Sequence, residues 1–443
     1  MPENRVILCL NSGSSSLKFT LYRLAEREEA LVNGAVERIG VAGSRVWARD
    51  NKGSSVLNEQ RPFASHREAL VALFHVFQVG RFPKPEAAGH RVVHGGPDHL
   101  KPERITPELI GDLQRCVPLA PLHLPAQIQV MEFITAAEPS LPQVACFDTG
   151  FHRTMPEVAQ RFPLPRRFWD EGVRRYGFHG LSFEYVVGAL GGAPKGAIII
   201  AHLGNGASLA AVRDGQPMDT TMALTPTAGL MMGTRTGDLD PGALFYLMNE
   251  KGYDPARLAH LVNEESGLLG VSAITSDMKR LIDTSSSDPR AAQALELFCY
   301  LARKQIGAMA AALGGLDLLV FTGGIGEHAA PIREKICSGL GFLGIEFDAA
   351  RNDQHADVIS RDGTRCAVRV IPTNEDLTIA HHTRRIVLGT PQDSRRVQRP
   401  HPMPISRDGA RCIPTNEDPD DRPSHTPDRL QSPVIYRGSS IVL

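Results

Sequence analysis

Two distant stretches of this chain follow one plan. Val6–Leu10 is a short apolar run that meets Asn11-Ser-Gly-Ser-Ser and returns as the β-prone run Leu17–Tyr22. Ile198–His202 is likewise apolar, turns at Leu203-Gly-Asn-Gly206 and returns as Ala207–Val212. β-prone runs joined by small turn residues read as hairpins. Strand and helix patterns alternate after each. In the first half these are strands Leu31–Ile39 and Arg45–Ala48, helices Glu68–Val79 and Ala126–Ala137, and strand Val144–Phe147. In the second they are helix Ala291–Leu313, strands Leu318–Phe321 and Val368–Pro372, and a closing helix Asp376–Val387. These periods predict an α/β protein of two similar domains facing one cleft.

Length and charge narrow the class. At ~150 residues per domain, 443 residues make two or three domains. Lys+Arg 48 against Asp+Glu 49 excludes a bulk electrostatic binder of nucleic acid or membrane. Seven scattered cysteines without a CxxC read as reduced thiols, not as a disulfide frame or zinc site. The opening MPENRVILCLN has no signal pattern and no apolar run approaches ~18 residues, so a cytoplasmic location is expected. Residues 390–443 hold nine of the 32 prolines and lack any period, and are expected to be disordered. That tail repeats part of the body: SRDGTRCAVRVIPTNED from Ser360 returns as SRDGARCIPTNED from Ser406. It reads as a duplication remnant.

Three glycine- or serine-rich turns suit a phosphate: Asn11 to Lys18, His202 to Gly206, and Gly323-Gly-Ile-Gly-Glu-His328 before a helical stretch at Pro331–Gly339. Small residues admit an anion to backbone N–H groups, and Lys18 adds a point charge. No Walker A pattern is present. Arg91 lies in an apolar strand, and Arg235 in a Gly/Thr turn after two methionines. An arginine among apolar neighbours needs an anion or a carboxylate, and for Arg235 the carboxylate candidates are Asp238 and Asp240. His179 sits between glycines, His123 between prolines; each alone reads as a structural histidine. Asp148 and Glu375 are either magnesium holders or caps.

Together these segments resemble the acetate kinase family of the acetate and sugar kinase/Hsp70/actin superfamily. NSGSSSLKF, GHRVVHGG, APLHLP, FDTGFHRTMP, RRYGFHG, HLGNGAS, MMGTRTGDLDP, SGLLG, FTGGIGE and PTNED occur in the family's order across roughly residues 4 to 388. The resemblance implies two duplicated actin/Hsp70-like βββαβαβα domains around a nucleotide cleft. The first would span 1–149 with 376–389, the second 150–375. It also implies a homodimer and reversible transfer of the ATP γ-phosphate to acetate, giving acetyl phosphate and ADP, with magnesium or manganese.

Matched by motif, Asp148, His179, Arg235, Arg91 and His123 are the catalytic candidates. Arg91 also binds substrate, whose alkyl end meets Val93, Leu122, Phe178 and Pro226. Nucleotide contacts fall on Lys18 and on His202, Leu203, Gly204, Asn205 and Gly206. They continue at Asp277, Met278 and Lys279, and at Gly324, Ile325, Gly326, Glu327 and His328. Asn11 and Glu375 match the metal positions. Leu124, Leu181, Phe183, Lys279 and His328 depart from the family's usual residues. Propionate or butyrate kinase is the near alternative; a non-catalytic nucleotide-binding regulator is the distant one. Because a carboxylate nucleophile is already ionised at pH 7, the expected chemistry is charge neutralisation by Arg91, Arg235 and the metal, with His179 donating to the phosphoryl group.

Overall fold

A computed structural model describes residues 5–26 and 28–388; the readings made for 390–443 lie outside the described residues. Its first sheet draws on strands β1 (Arg5–Gly13), β2 (Ser16–Leu24), β3 (Glu28–Glu37), β4 (Arg45–Asp50), β5 (Ser55–Gln60), β6 (Ala87–Val92), β7 (Glu103–Arg104) and β8 (Gln143–Phe147). Their order is β5-β4-β3-β2-β1-β6-β8-β7. The second sheet draws on β9 (Ala197–Leu203), β10 (Ala207–Arg213), β11 (Gln216–Thr220), β12 (Leu318–Thr322) and β13 (Ala367–Val370), ordered β11-β10-β9-β12-β13.

The two sheets share a plan. The run β3-β2-β1-β6-β8 pairs antiparallel, antiparallel, parallel, parallel, and β11-β10-β9-β12-β13 pairs in the same sequence. This is the duplicated α/β architecture expected. Period-2 alternation sandwiches the first sheet between helices. Leu8, Leu10, Leu17 and Phe19 face the helix His66–Val79, while Ile7 and Cys9 face the helix Glu375–Leu388. The latter lies so close over β6 that a Cβ on Gly89 would meet Thr383 Oγ1. In the second sheet the long helix Pro289–Leu313, capped by Asp288 and ended by left-handed Gly314, covers β9 and β10.

Local details differ from the sequence reading. The Asn/Ser/Gly run after Leu10 is extended strand, since β1 and β2 stay paired out to Gly13↔Ser16 and only Ser14 and Ser15 turn. Backbone pairing between two strands overrode the turn preference of small residues. Gly323–His328 is not an open turn but a six-residue helix, followed by another at Ala330–Cys337. The closing helix begins at Glu375 itself, one residue earlier than expected. Strand β5 was not foreseen, being polar and largely exposed.

Candidate active site

The chemistry-bearing residues sit at the C-terminal ends of the parallel strands, where open α/β sheets bind ligands. Register explains the first group. Leu10 pairs with His90 and Arg91 with Cys146, so Asn11 and Arg91, in the last residues of β1 and β6, come together with Asp148, the first residue past β8. Asp148 accepts from Arg91 Nε at 3.0 Å and from Nη2 at 2.6 Å, while Arg91 Nη1 donates to Asn11 Oδ1 at 3.2 Å. Glu375 Oε2 is 3.8 Å from Arg91 Nε. Burial raises the Asp148 carboxyl, with Arg91 pulling it down. Burial also opposes charge on Arg91, but Asp148 and Glu375 outweigh it and hold the guanidinium protonated. Asp148 is therefore not a turn cap: its two oxygens are spent on Arg91.

The second group gathers at β9 and β10. His179, in left-handed backbone conformation (φ 56°), precedes the helix Gly180–Ala189. Its ring stacks on His202 with centroids 4.2 Å apart and 19° between planes. His179 Nδ1 is 2.9 Å from Ser208 Oγ, and His202 Nδ1 is 2.8 Å from Ser182 Oγ. Burial, aided by His202, Arg91 and Arg235, drives the His179 pKa well below 6.5; burial and Arg91 take His202 to about 4. Arg235 Nη1 donates to the Pro226 carbonyl at 2.6 Å. Neither Asp238 nor Asp240 pairs with it; they bond the backbone N–H of Gly229 and Gly242. Burial and Arg91 lower the Arg235 pKa to about 10, which leaves it charged at pH 7. A Cβ on Gly206 would lie 2.8 Å from Arg235 Nη2 and 3.2 Å from His179 Nε2, so both groups open onto this one glycine.

His123 starts the helix Leu124–Ala137; its Nδ1 is buried without a partner, and burial with Arg235 and Arg91 lowers its pKa to about 4. Its electrostatic coupling to both arginines puts it with the same cluster. Val93 and Phe178 are buried, Pro226 is half-buried and Leu122 is 37% exposed. A cavity of about 650 Å³ gathers Gly204, Asn205, Asp277, Lys279, Ile325 and His328, with Met278 and Gly324 also in its wall. Leu203, Gly206, Gly326 and Glu327 do not line it. Glu327 Oε1 instead accepts the backbone N–H groups of Gly323 (2.8 Å) and Thr373 (3.0 Å). Lys18 is exposed on β2, across from Asn11 and away from that cavity wall. Sequence reasoning assigned nothing to Ser182, Ser208 or Gln127, although all lie within or near quoted motifs. Buried Gln127 accepts from the Val93 N–H at 3.1 Å.

The residues present fit a magnesium ion. Asn11 and Glu375 offer an amide and a carboxylate oxygen against one guanidinium. Among the described residues no cluster of three His, Cys, Asp or Glu could hold a metal. Magnesium does not require one, because it is commonly held by one or two protein oxygens together with substrate phosphates and waters.

Comparison with known proteins matches most of the chain. The model of the acetokinase family matches residues 6–381. The acetate kinase of Methylocella silvestris is 43% identical over 399 residues, covering 86% of this chain and 97% of its own. Among solved structures, Porphyromonas gingivalis acetate kinase superposes with a TM-score of 0.77 at 39% identity, covering 86% of this chain and 100% of that one. A propionate kinase from Francisella tularensis superposes with a TM-score of 0.81 at 36% identity, over 86% and 100%.

Proposed function

The chain belongs to the acetokinase family, and from that premise we propose that it is an acetate kinase, transferring the ATP γ-phosphate to acetate reversibly to give acetyl phosphate and ADP. The carrying observation is Arg235: a guanidinium beside Arg91 and His179 with no carboxylate within 4.0 Å among the described residues. Such a charge is expensive to bury unless an anion is to arrive.

The remaining roles follow from donor arithmetic. Of the five N–H groups of a guanidinium, three on Arg91 are taken by Asp148 and Asn11. One remains on each terminal nitrogen, the fork that receives a carboxylate. Acetate is already ionised at pH 7, so it attacks in line without a general base. Arg235 and His179 Nε2 meet the oxygens on which charge develops. Asp148 orients Arg91 and moves no proton. Magnesium, when bound at Asn11 and Glu375, would neutralise phosphate charge.

The same reading divides the chain at 1–149 with 376–389 and at 150–375. It is supported because each sheet comes from one of these spans and the helix Glu375–Leu388 packs on the first. It includes a homodimer: the helix Pro241–Lys251 buries no residue and leaves Phe245 61% exposed, an apolar face suited to a second copy. It includes the cytoplasm; no helix among the described residues is long and apolar enough to cross a membrane.

A hydroxamate assay with ATP, magnesium and acetate, propionate or butyrate tests the activity. Acetohydroxamate formed in proportion to enzyme, with the highest kcat/KM for acetate, is the expected result. A higher kcat/KM for propionate makes the chain a propionate kinase; ATP binding without product from any acid makes it a regulator.

A further inference from the structure

Ser208 on β10 is the direct cross-strand partner of His202 on β9. Directly opposed residues on one sheet face stand close enough to act on one object, and here that object is the imidazole of His179. His202 stacks on the ring and fixes its plane, while Ser208 Oγ, 2.9 Å from Nδ1, fixes its rotation within that plane. Ser182, three residues after His179 on the following helix, holds His202 Nδ1 at 2.8 Å. The four side chains are linked in the order Ser208, His179, His202, Ser182, and all are buried. His179 also keeps a left-handed backbone (φ 56°, ψ 24°), uncommon outside glycine and maintained only where surroundings over-determine it. His152 contributes by bonding the preceding carbonyl, that of Phe178, at 3.0 Å.

We propose that Ser208 is a positioning residue for phosphoryl transfer: its hydroxyl donates to His179 Nδ1 and so selects the tautomer that presents Nε2–H to the transferring group. This rests on the assignment of His179 to the developing charge. A neutral imidazole carries one N–H. Were that proton on Nδ1, Nε2 would turn a lone pair toward anionic oxygens over Gly206, repelling what it should stabilise. Ser208 Oγ has no other hydrogen-bond partner among the described residues, so its single proton is available to Nδ1. Arg235 Nη2, reaching the same face of Gly206, places a second donor beside Nε2. The assignment explains why a serine rather than an apolar residue occupies a strand position that is fully buried.

The test compares Ser208→Ala, His179→Ala and the double variant, with 15N spectra of histidine-labelled wild-type protein. Ser208→Ala is expected to lower kcat on the order of tenfold, with KM for ATP and acetate nearly unchanged, because one orienting hydrogen bond is lost. In the His179→Ala background the same substitution should change nothing further. In the wild type, the His179 resonances (those missing from His179→Ala) should show Nδ1 unprotonated and Nε2 protonated. Wild-type kcat in Ser208→Ala, an equal loss in both backgrounds, or a protonated Nδ1 overturns the proposal. The wild-type spectrum decides alone should Ser208→Ala not fold. Full activity in His179→Ala would instead overturn the role given to His179, a separate failure.

Discussion

Asp148 holds Arg91 side-on, accepting from Nε at 3.0 Å and Nη2 at 2.6 Å, and leaves one further N–H on Nη2 free of it. Asp148→Asn should leave the arginine buried, badly paired and free to rotate. Urea unfolding should show a loss of about 3 kcal/mol, as when one partner of a buried ion pair is removed. KM for acetate should rise while KM for ATP holds. An unchanged acetate KM would detach Asp148 from substrate orientation.

Gly206→Ala separates site geometry from folding. Gly206 does not need a positive φ, and the atom its Cβ would press on most closely is the flexible tip of Arg235, 2.8 Å away. The melting temperature should therefore move little. Turnover should fall at least tenfold as Arg235 and His179 are displaced. A variant that unfolds but keeps its kcat per folded molecule contradicts this.

Arg235→Ala should have opposite effects on activity and stability. Losing a transition-state donor costs on the order of 10²–10³ in kcat. Stability should hold or rise, because a charge without a carboxylate partner leaves a site that disfavours it. Calorimetry that finds a large destabilisation would mean that Arg235 is structural.

Acid should weaken the fold above pH 4. Burial is the leading cause that holds His90, His94, His123, His152 and His202 at about 4, against roughly 6.5 in an unfolded chain. Between these values the unfolded state binds more protons, so stability is complete above about 6.5 and declines as pH falls toward 4. Urea midpoints at pH 7.5, 6 and 5 should decrease in that order; a flat series would show these histidines titrating normally.

Two glutamates share the context Pro-Thr-Asn-Glu-Asp, Glu375 and Glu417. Glu375 opens the closing helix and lies 3.8 Å from Arg91. The copy at Glu417 lacks the Ala-Val-Arg-Val strand segment and is followed by two prolines within six residues. Glu375→Ala should abolish magnesium-dependent turnover, whereas Glu417→Ala or truncation after Gly389 should leave it nearly intact. A truncated protein that folds without activity would make the tail functional.

Much of this protein is local, and the local part was legible. The paired hairpins are written in short apolar runs joined by small residues, and helix starts such as that of Pro289–Leu313 in a capping aspartate followed by proline. Motif resemblance named Arg91, Asp148, His179 and Arg235 without any coordinates. The misreadings are equally physical. Asn11 to Gly13 looked like a turn because serine and glycine favour turns, yet a neighbouring strand offered their backbone better partners.

Pairing and burial belong to the tertiary structure. No spacing rule says that Asp148 closes on Arg91, that Asp238 and Asp240 leave Arg235 alone, or that Ser208 reaches His179. Residue type and period decide which face of a strand a side chain takes, since that depends on its own backbone and near neighbours. What stands opposite that face depends on strand register and on how elements far apart in the chain pack. Only there is water removed, and only then do charges and tautomers acquire the values on which the chemistry depends.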